Sequence, residues 1–405
     1  MIDGSAKGAG KSDNYAPWPT YADDEIRAVE SVLRSGRVNY WTGAEGRAFE
    51  HEFARFTGVN HALFVANGTV ALEIALRALN LPPGSEVVTT PRTFIATAAA
   101  IVSANLKPVF ADVDPESGNI TVDAVRAVLS TETVAVLVVH LGGWPAELVG
   151  LRAFCDAAGL ALIEDCSQAH GARIGGRHVG TFGDLATWSF CQDRIITTGG
   201  EGGMIATNDE DLWRRMWALK DHGKSWEAVF EREHPPGFRW LHESFGTNGR
   251  GTEMQAAIGR VQYRKLEGWH EERRNNAEVL AAHLSKIEGV SVPMPTNMYE
   301  HAFYRLYAYL DESIAPDGQA RDRIVHEVTS AGGVPIFSGA CSEVYLELAF
   351  AALGDFHEGY LPVAHRLGEQ SIAFLVHPGL SQEDLATVAE KVSKALDSKA
   401  AVSAP

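Results

Sequence analysis

Four cysteines in 405 residues leave little for disulfide or metal chemistry: Cys155, Cys166, Cys191 and Cys341 are scattered, with no C-x-x-C pair. Such spacing supplies neither a disulfide framework nor a zinc site, and it suits a reducing, cytoplasmic setting. Basic charge is also short. Lys and Arg number 35 against 52 Asp and Glu, a net charge of −17. That balance argues against a nucleic-acid or anionic-membrane surface, while leaving room for a local basic pocket around a phosphorylated ligand. No uncharged apolar run reaches membrane-spanning length, and no internal repeat is found. No G-x-G-x-x-G follows the first expected strand, where a dinucleotide's pyrophosphate would need it, so a Rossmann dehydrogenase is disfavoured. Residues 1–15, small and polar, are expected to be a disordered leader.

What is present is a chain long enough for a large core, with 45% hydrophobic residues. Two helices are expected first, Asp23–Leu33 and Arg47–Phe56, the second with Phe49, Phe53 and Phe56 at helical spacing. From His61 onward, short β-rich runs alternate with helical stretches: His61–Ala66, Glu86–Thr90, Lys107–Ala111, Val134–Val139, Leu160–Glu164, Leu185–Phe190 and Gly203–Thr207. Alternation of this kind predicts an α/β fold with a mainly parallel seven-stranded sheet covered on both faces. Trp213 to Asn248, rich in charge and aromatics, reads as surface loops. A long helix from Glu253 to about Ile287 then leads into a smaller C-terminal α/β domain, giving a large domain over 16–260 and a small one over 261–400.

Ligands in such sheets sit beyond the carboxyl ends of the strands. Three stretches lie there. Asn67-Gly68-Thr69 leaves a strand and opens a helix, where backbone N–H groups favour a phosphate, although a simple helix cap has the same form. Glu164-Asp165 ends another strand ahead of Gln168 and His170. There an Asp can hold a protonated ring nitrogen and a Gln can donate to a ring oxygen, or the segment is a capped turn. Thr187–Thr207 carries Ser189, Arg194 and the Gly199-Gly200-Glu201-Gly202-Gly203 run, which reads either as an active-site wall or as a flexible connection. Phe94, just after Thr90-Pro91, offers a ring to a planar ligand or belongs to the core.

Taken in order, Asn67-Gly68-Thr69, Thr93–Thr97, Glu164-Asp165-(x)2-Gln168-Ala169-His170-Gly171 and Ser189-Phe190-(x)10-Glu201-Gly202-Gly203 resemble the DegT/DnrJ/EryC1/StrS sugar aminotransferases. Val139–Gly143, Asp221-His222-Gly223, Asn248-(x)5-Met254-Gln255-Ala256-Ala257 and Gly339–Glu347 extend the likeness, which runs from about Tyr21 to Leu396. The family is similar to fold type I enzymes that use pyridoxal 5'-phosphate (PLP). The resemblance implies that Gly68, Thr69 and Ser189 bind the cofactor phosphate, and that Asp165 holds the pyridinium proton. It likewise implies that Gln168 contacts the ring hydroxyl, that Phe94 stacks on the ring, and that Asn248 reaches the phosphate from a neighbouring subunit. A homodimer with composite sites is expected, acting on a keto-sugar, nucleotide-linked, with an amino acid such as glutamate as donor. No metal, nucleic acid or membrane partner is expected.

One position departs from this pattern. Counting five places from Ser189, where the family carries the lysine that forms a Schiff base with PLP, this sequence has Arg194. A guanidinium stays protonated and neither attacks an aldehyde nor shuttles a proton as an amine does. Lys220 and Lys224 do not stand in for it. Three explanations are open. One is an engineered Lys→Arg change in an otherwise ordinary aminotransferase, made to trap a cofactor–substrate adduct. The second is a natural homologue holding PLP, pyridoxamine phosphate or an external aldimine without a lysine, such as a sugar dehydratase-like enzyme. The third is a non-catalytic regulatory or binding protein. Residue types in Trp226–Trp240, His301–Tyr307 and Ser338–Tyr345 do not select a sugar, and His301, Tyr304, Arg305 and His377 are expected at the solvated surface.

Overall fold

The alternation of apolar runs and helices from His61 to Thr207 builds one large sheet. The computed structural model describes residues 15–237, 239–353 and 361–400, so the expected leader, Tyr15 apart, lies outside the described residues. In chain order the strands of this region are β1 (His61–Val65), β2 (Glu86–Thr89), β3 (Lys107–Phe110), β4 (Thr133–Val139), β5 (Ala161–Asp165), β6 (Arg173–Ile174), β7 (Arg177–His178), β8 (Leu185–Ser189) and β9 (Gly203–Thr207). Seven of them form the sheet, in the order β1-β9-β8-β5-β4-β2-β3. Only β9 runs antiparallel to its neighbours, with Gly203 opposite both Val65 and Ser189. The remaining pairs are parallel.

Continuous apolar strands suit a sheet buried on both faces, with alternate residues serving opposite cores. Phe64, Val136 and Val138 point into one core, together with Phe49, Phe53, Trp188 and Phe190. Leu63, Val65, Leu137 and Val139 point into the other, with Leu72, Ile74 and Trp217. Each such side chain contributes about 1.5–3 kcal/mol by leaving water. The helix Glu45–Thr57 supplies Phe49 and Phe53 to an aromatic cluster with Phe64, Trp188, Phe190 and Tyr263. Gly58, at φ 82°, ends that helix in a left-handed conformation that costs glycine little.

The long helix expected from Glu253 runs to Leu284, opened by a reciprocal cap between Thr252 and Gln255. At 32 residues it spans about 48 Å. Its first half packs Ala256, Tyr263 and Leu266 into the core beneath the large sheet. The second half packs Ala277, Leu280 and Leu284 against a smaller sheet. That sheet is antiparallel and joins β10 (Val290–Ser291), β12 (Leu306–Leu310), β13 (Ile336–Phe337) and β14 (Ser371–Phe374) in the order β10-β12-β14-β13. A short β11 (Tyr299–Glu300) pairs with β6, tying the two halves together.

Within Trp213 to Asn248, residues 231–237 and 239–248 are largely exposed loop, but the segment before them is not. Glu210–Lys220 is a helix with Leu212, Met216, Trp217 and Lys220 buried. Glu210, Asp211, Arg214 and Arg215 lie among the residues that form its outer face, and their charge masks the apolar stripe. Helices Val122–Val128, Leu148–Ala158 and Pro362–Gln370 complete the covering layers. Among the described residues no helix is long and apolar enough to cross a membrane.

Candidate active site

The strand pairing brings the ends of β1, β5 and β8 to one edge of the large sheet, because Asp165 faces Thr187 and Ser189 shares Gly203 with Val65. Asn67 caps the helix Gly68–Ala78 through its side chain, which accepts the Val70 N–H at 2.9 Å. The Gly68 and Thr69 N–H groups, which precede the first intrahelical bond, remain as donors at the positive end of the helix dipole. Contact here is close enough to require glycine. A Cβ on Gly68 would lie 2.7 Å from Ser189 Cβ, and one on Gly203 would lie 2.4 Å from the Asn67 carbonyl oxygen. Cap and anion cradle are therefore both present, with the Ser189 hydroxyl against the helix start.

Asp165 and Glu164 end β5 side by side, yet their surroundings differ. Glu164 is fully buried and accepts the N–H groups of Gly180, Phe182 and Gly183, with His140 Nε2 at 3.3 Å. His140 Nδ1 accepts the Ala146 N–H, so Nε2 carries the proton that Glu164 receives. Together with Cys166, these side chains place three possible ligand atoms within 4.8 Å, but the Glu164 oxygens already hold the backbone together. Among the described residues, the Asp165 side chain has only the Ser167 N–H at 3.0 Å and a weak contact from the Thr97 hydroxyl at 3.4 Å. Thr97 also bonds Thr93, bracketing Phe94, whose ring is 54% exposed rather than in the core. Gln168 accepts the Gly142 N–H at 2.7 Å through its carbonyl oxygen, leaving its NH2 group without a hydrogen bond among the described residues.

Residue 194 lies on the excursion between β8 and β9, opposite the small sheet. The indole of Trp18 donates to the Arg194 carbonyl at 2.8 Å, and Arg194 Nη1 donates to the Tyr304 hydroxyl at 2.9 Å. That hydroxyl donates in turn to Asp193. Burial alone would lower the pKa of Arg194, but Tyr304, Asp193, Cys191 and Asp165 outweigh it and raise the value. The group is a permanent cation. Lys220 lies elsewhere, fully buried with its Nζ 3.5 Å from the centre of the Tyr40 ring. Burial lowers its pKa, with Glu50 and Asp221 opposing. Lys224 pairs with Asp221 at 2.9 Å, and Asp221 also receives Arg250 and Trp41.

His301, Tyr304 and His377 are buried, at 6%, 7% and 2% exposure, which corrects their expected place at the surface. Arg305 is half-buried. All four have partners distant in sequence, His301 beneath Trp144, Tyr304 bonded to Arg194, Arg305 over the Phe337 ring and His377 against Trp18, so no local period announced their burial. Asn248 stands at the border of the site. It bridges to Asp221, its neighbour Gly249 accepts the Ala66 N–H, and its own exposed side chain makes no hydrogen bond among the described residues.

Residues 19–393 match the DegT/DnrJ/EryC1/StrS aminotransferase family. The chain belongs to that family. It is 34% identical over 390 residues to the UDP-N-acetyl-3-dehydro-alpha-D-glucosamine 3-aminotransferase of Acidithiobacillus ferrooxidans, covering 95% of this chain and 97% of the relative. It is 32% identical to the "Pleiotropic regulatory protein" of Geobacillus stearothermophilus, over 91% of this chain and 93% of that one. Among solved structures, the aminotransferase from Psychrobacter cryohalolentis superimposes with a TM-score of 0.89 at 48% identity, covering 96% of this chain and 99% of that one. The chain thus has the fold type I aminotransferase architecture and is, by family, a PLP-dependent sugar aminotransferase.

The residues present fit that cofactor. Gly68, Thr69 and Ser189 form a cradle that a Cβ would fill, suited to a phosphate. Asp165 retains acceptor capacity for a ring N–H, Gln168 has a free donor, and Phe94 exposes a face for stacking.

Proposed function

We propose that this chain holds PLP or pyridoxamine phosphate without a covalent link, on the scaffold of an enzyme that moves an amino group from an amino acid, glutamate being the proposed donor, to a nucleotide-linked keto-sugar. The observation that carries this reading is a complete set of holding groups, Gly68, Ser189, Asp165 and Phe94, facing a permanently charged Arg194. The bound cofactor would supply an electron sink and a carrier for the amino group. Asp165 keeps its ring nitrogen protonated, Gln168 orients its hydroxyl, and the Gly68 helix start with Ser189 anchors its phosphate. Arg194 cannot move a proton at the reacting carbon, so this form is stalled. In the proposed arrangement, 16–260 forms the large domain and 261–400 the small one. Two copies pair so that Asn248 of each reaches the other's phosphate site, which agrees with its exposed, unbonded side chain at the site's border.

The test is Arg194→Lys. With PLP bound, the variant is expected to gain the absorbance change of half-transamination with an amino donor, and borohydride is expected to attach cofactor to residue 194 there but not in the unmodified chain. A lysine variant that binds PLP and transfers nothing from any donor would sink the proposal. That outcome favours a second reading, a regulatory or ligand-binding protein on the same scaffold, which the likeness to a relative named as a pleiotropic regulator supports.

A further inference from the structure

Beside residue 194 three arginines lie close together with several of their N–H groups unused among the described residues. Arg194 and Arg305 flank the Asp193 carboxylate, and Arg273 lies beside Arg305, with Glu272 acting on Arg273 and Asp165 on Arg194 from further off. One Asp193 oxygen lies 3.6 Å from Arg194 Nη1, and the other accepts the Tyr304 hydroxyl and lies 3.8 Å from Arg305 Nη2. The Arg305 guanidinium makes no hydrogen bond among the described residues. It lies over the rings of Tyr304 and Phe337, at 4.5 and 5.5 Å from their centres. Arg273 is fully buried, donates to the Phe303 carbonyl at 3.2 Å and stacks on Trp18, while its Nε and Nη2, like Arg194 Nε, have no hydrogen-bond partner among the described residues. Burial and the neighbouring Arg305 pull Arg273 down to about 9. A buried cation left without hydrogen bonds is costly unless an anion completes it.

The opening lies on the Asp193 side, where that side chain is 45% exposed and those of Arg194 and Arg305 are each 17% exposed. A planar guanidinium fork fixed on aromatic faces matches a carboxylate in two parallel hydrogen bonds. We propose that Arg305, backed by Arg194 and Arg273, forms a carboxylate-binding subsite that anchors an acid group of a reactant. The carboxylate comes from the amino donor or from an acidic sugar. This inference rests on the proposed aminotransferase reading for its reactants, and on the arginine cluster alone for its chemistry.

Calorimetric titration of the purified chain, bare and saturated with pyridoxamine phosphate, tests it with glutarate, glucuronate and neutral glucose as probes. At least one acid is expected to bind at least tenfold more tightly than glucose, and Arg305→Gln is expected to weaken that acid tenfold or more, with Arg305→Lys intermediate. Glutarate alone binding assigns the subsite to the donor, and glucuronate alone assigns it to the sugar. Thermal melts of each variant separate misfolding from lost binding. Equal binding of acids and glucose, no binding of either acid, or unchanged binding in a folded Arg305→Gln variant overturns the proposal. Because the readout needs no turnover, an inactive Arg194→Lys variant would leave this result standing, and the reverse holds too.

Discussion

On the wall formed by the ends of β1, β5 and β8, the polar groups on offer are backbone N–H, a hydroxyl and one lightly bonded carboxylate, all fixed by the sheet itself. Beside it, Asp193, Arg194, Tyr304 and Arg305 hold one another through long side chains, with Arg273 next to Arg305 and donors left over among the described residues. On the proposed reading the first wall holds the cofactor, while the second, with its fixed charge at Arg194, faces the reactants. Holding and reacting are then separable in this molecule.

The comparison is broken most severely by removing the sheet's own support. Glu164→Ala strips the acceptor from three backbone N–H groups and from His140. It is expected to lower stability by about 3 kcal/mol or more, read by urea unfolding. Asp165→Asn, one residue on, is expected to leave the unfolding midpoint nearly unchanged. It should weaken pyridoxamine phosphate by roughly 10- to 100-fold, the loss of a charge-assisted hydrogen bond of ~1.5–3 kcal/mol, measured by fluorescence titration. If the two variants exchanged these effects, the division between a structural and a ligand-facing carboxylate would be wrong.

Gly68→Ala sharpens the first wall. Its new Cβ would meet Ser189 Cβ, so a stability loss of about 1–3 kcal/mol is expected, along with weaker inorganic phosphate binding by calorimetry. The smallest effect concerns the second wall's surroundings. Burial, with a contribution from His270, pulls His301 down to about 3, so the unfolded chain binds the extra proton first as pH falls below 6.5. The stability that the neutral ring contributes is present above that pH and is lost on the way toward 3. Between pH 6.5 and 5.5 the loss is about 1 kcal/mol, and His301→Gln should flatten the melting-temperature profile over that interval.

The first wall was legible in the sequence because strand ends localise it. Gly68, Asp165 and Ser189 each follow an apolar run, and parallel pairing brings such ends to one edge. The second wall was not. Tyr304 reaches Arg194, Arg305 reaches Asp193 and His377 reaches Trp18, all from beyond the 32-residue helix in sequence, and no local period announces a contact across such a distance. Charge misled in a similar way at Glu210–Lys220, where acids and arginines on one face concealed Met216 and Trp217 on the other. Phe94 shows the limit of composition: an aromatic amid small apolar residues reads equally as core or platform, and only the Thr93–Thr97 hydroxyl bracket turns it outward.

The reversal of β9 has a consequence for how this protein tolerates change. Since Ser189 and Gly203 are paired partners, the chain between them leaves the sheet and returns to the place it left, like a drawer in a cabinet. Whatever that drawer carries is invisible to the order and direction of the strands. A sequence can therefore exchange the side chain at 194 without altering the order or direction of the strands, so this excursion can vary while the sheet keeps its shape.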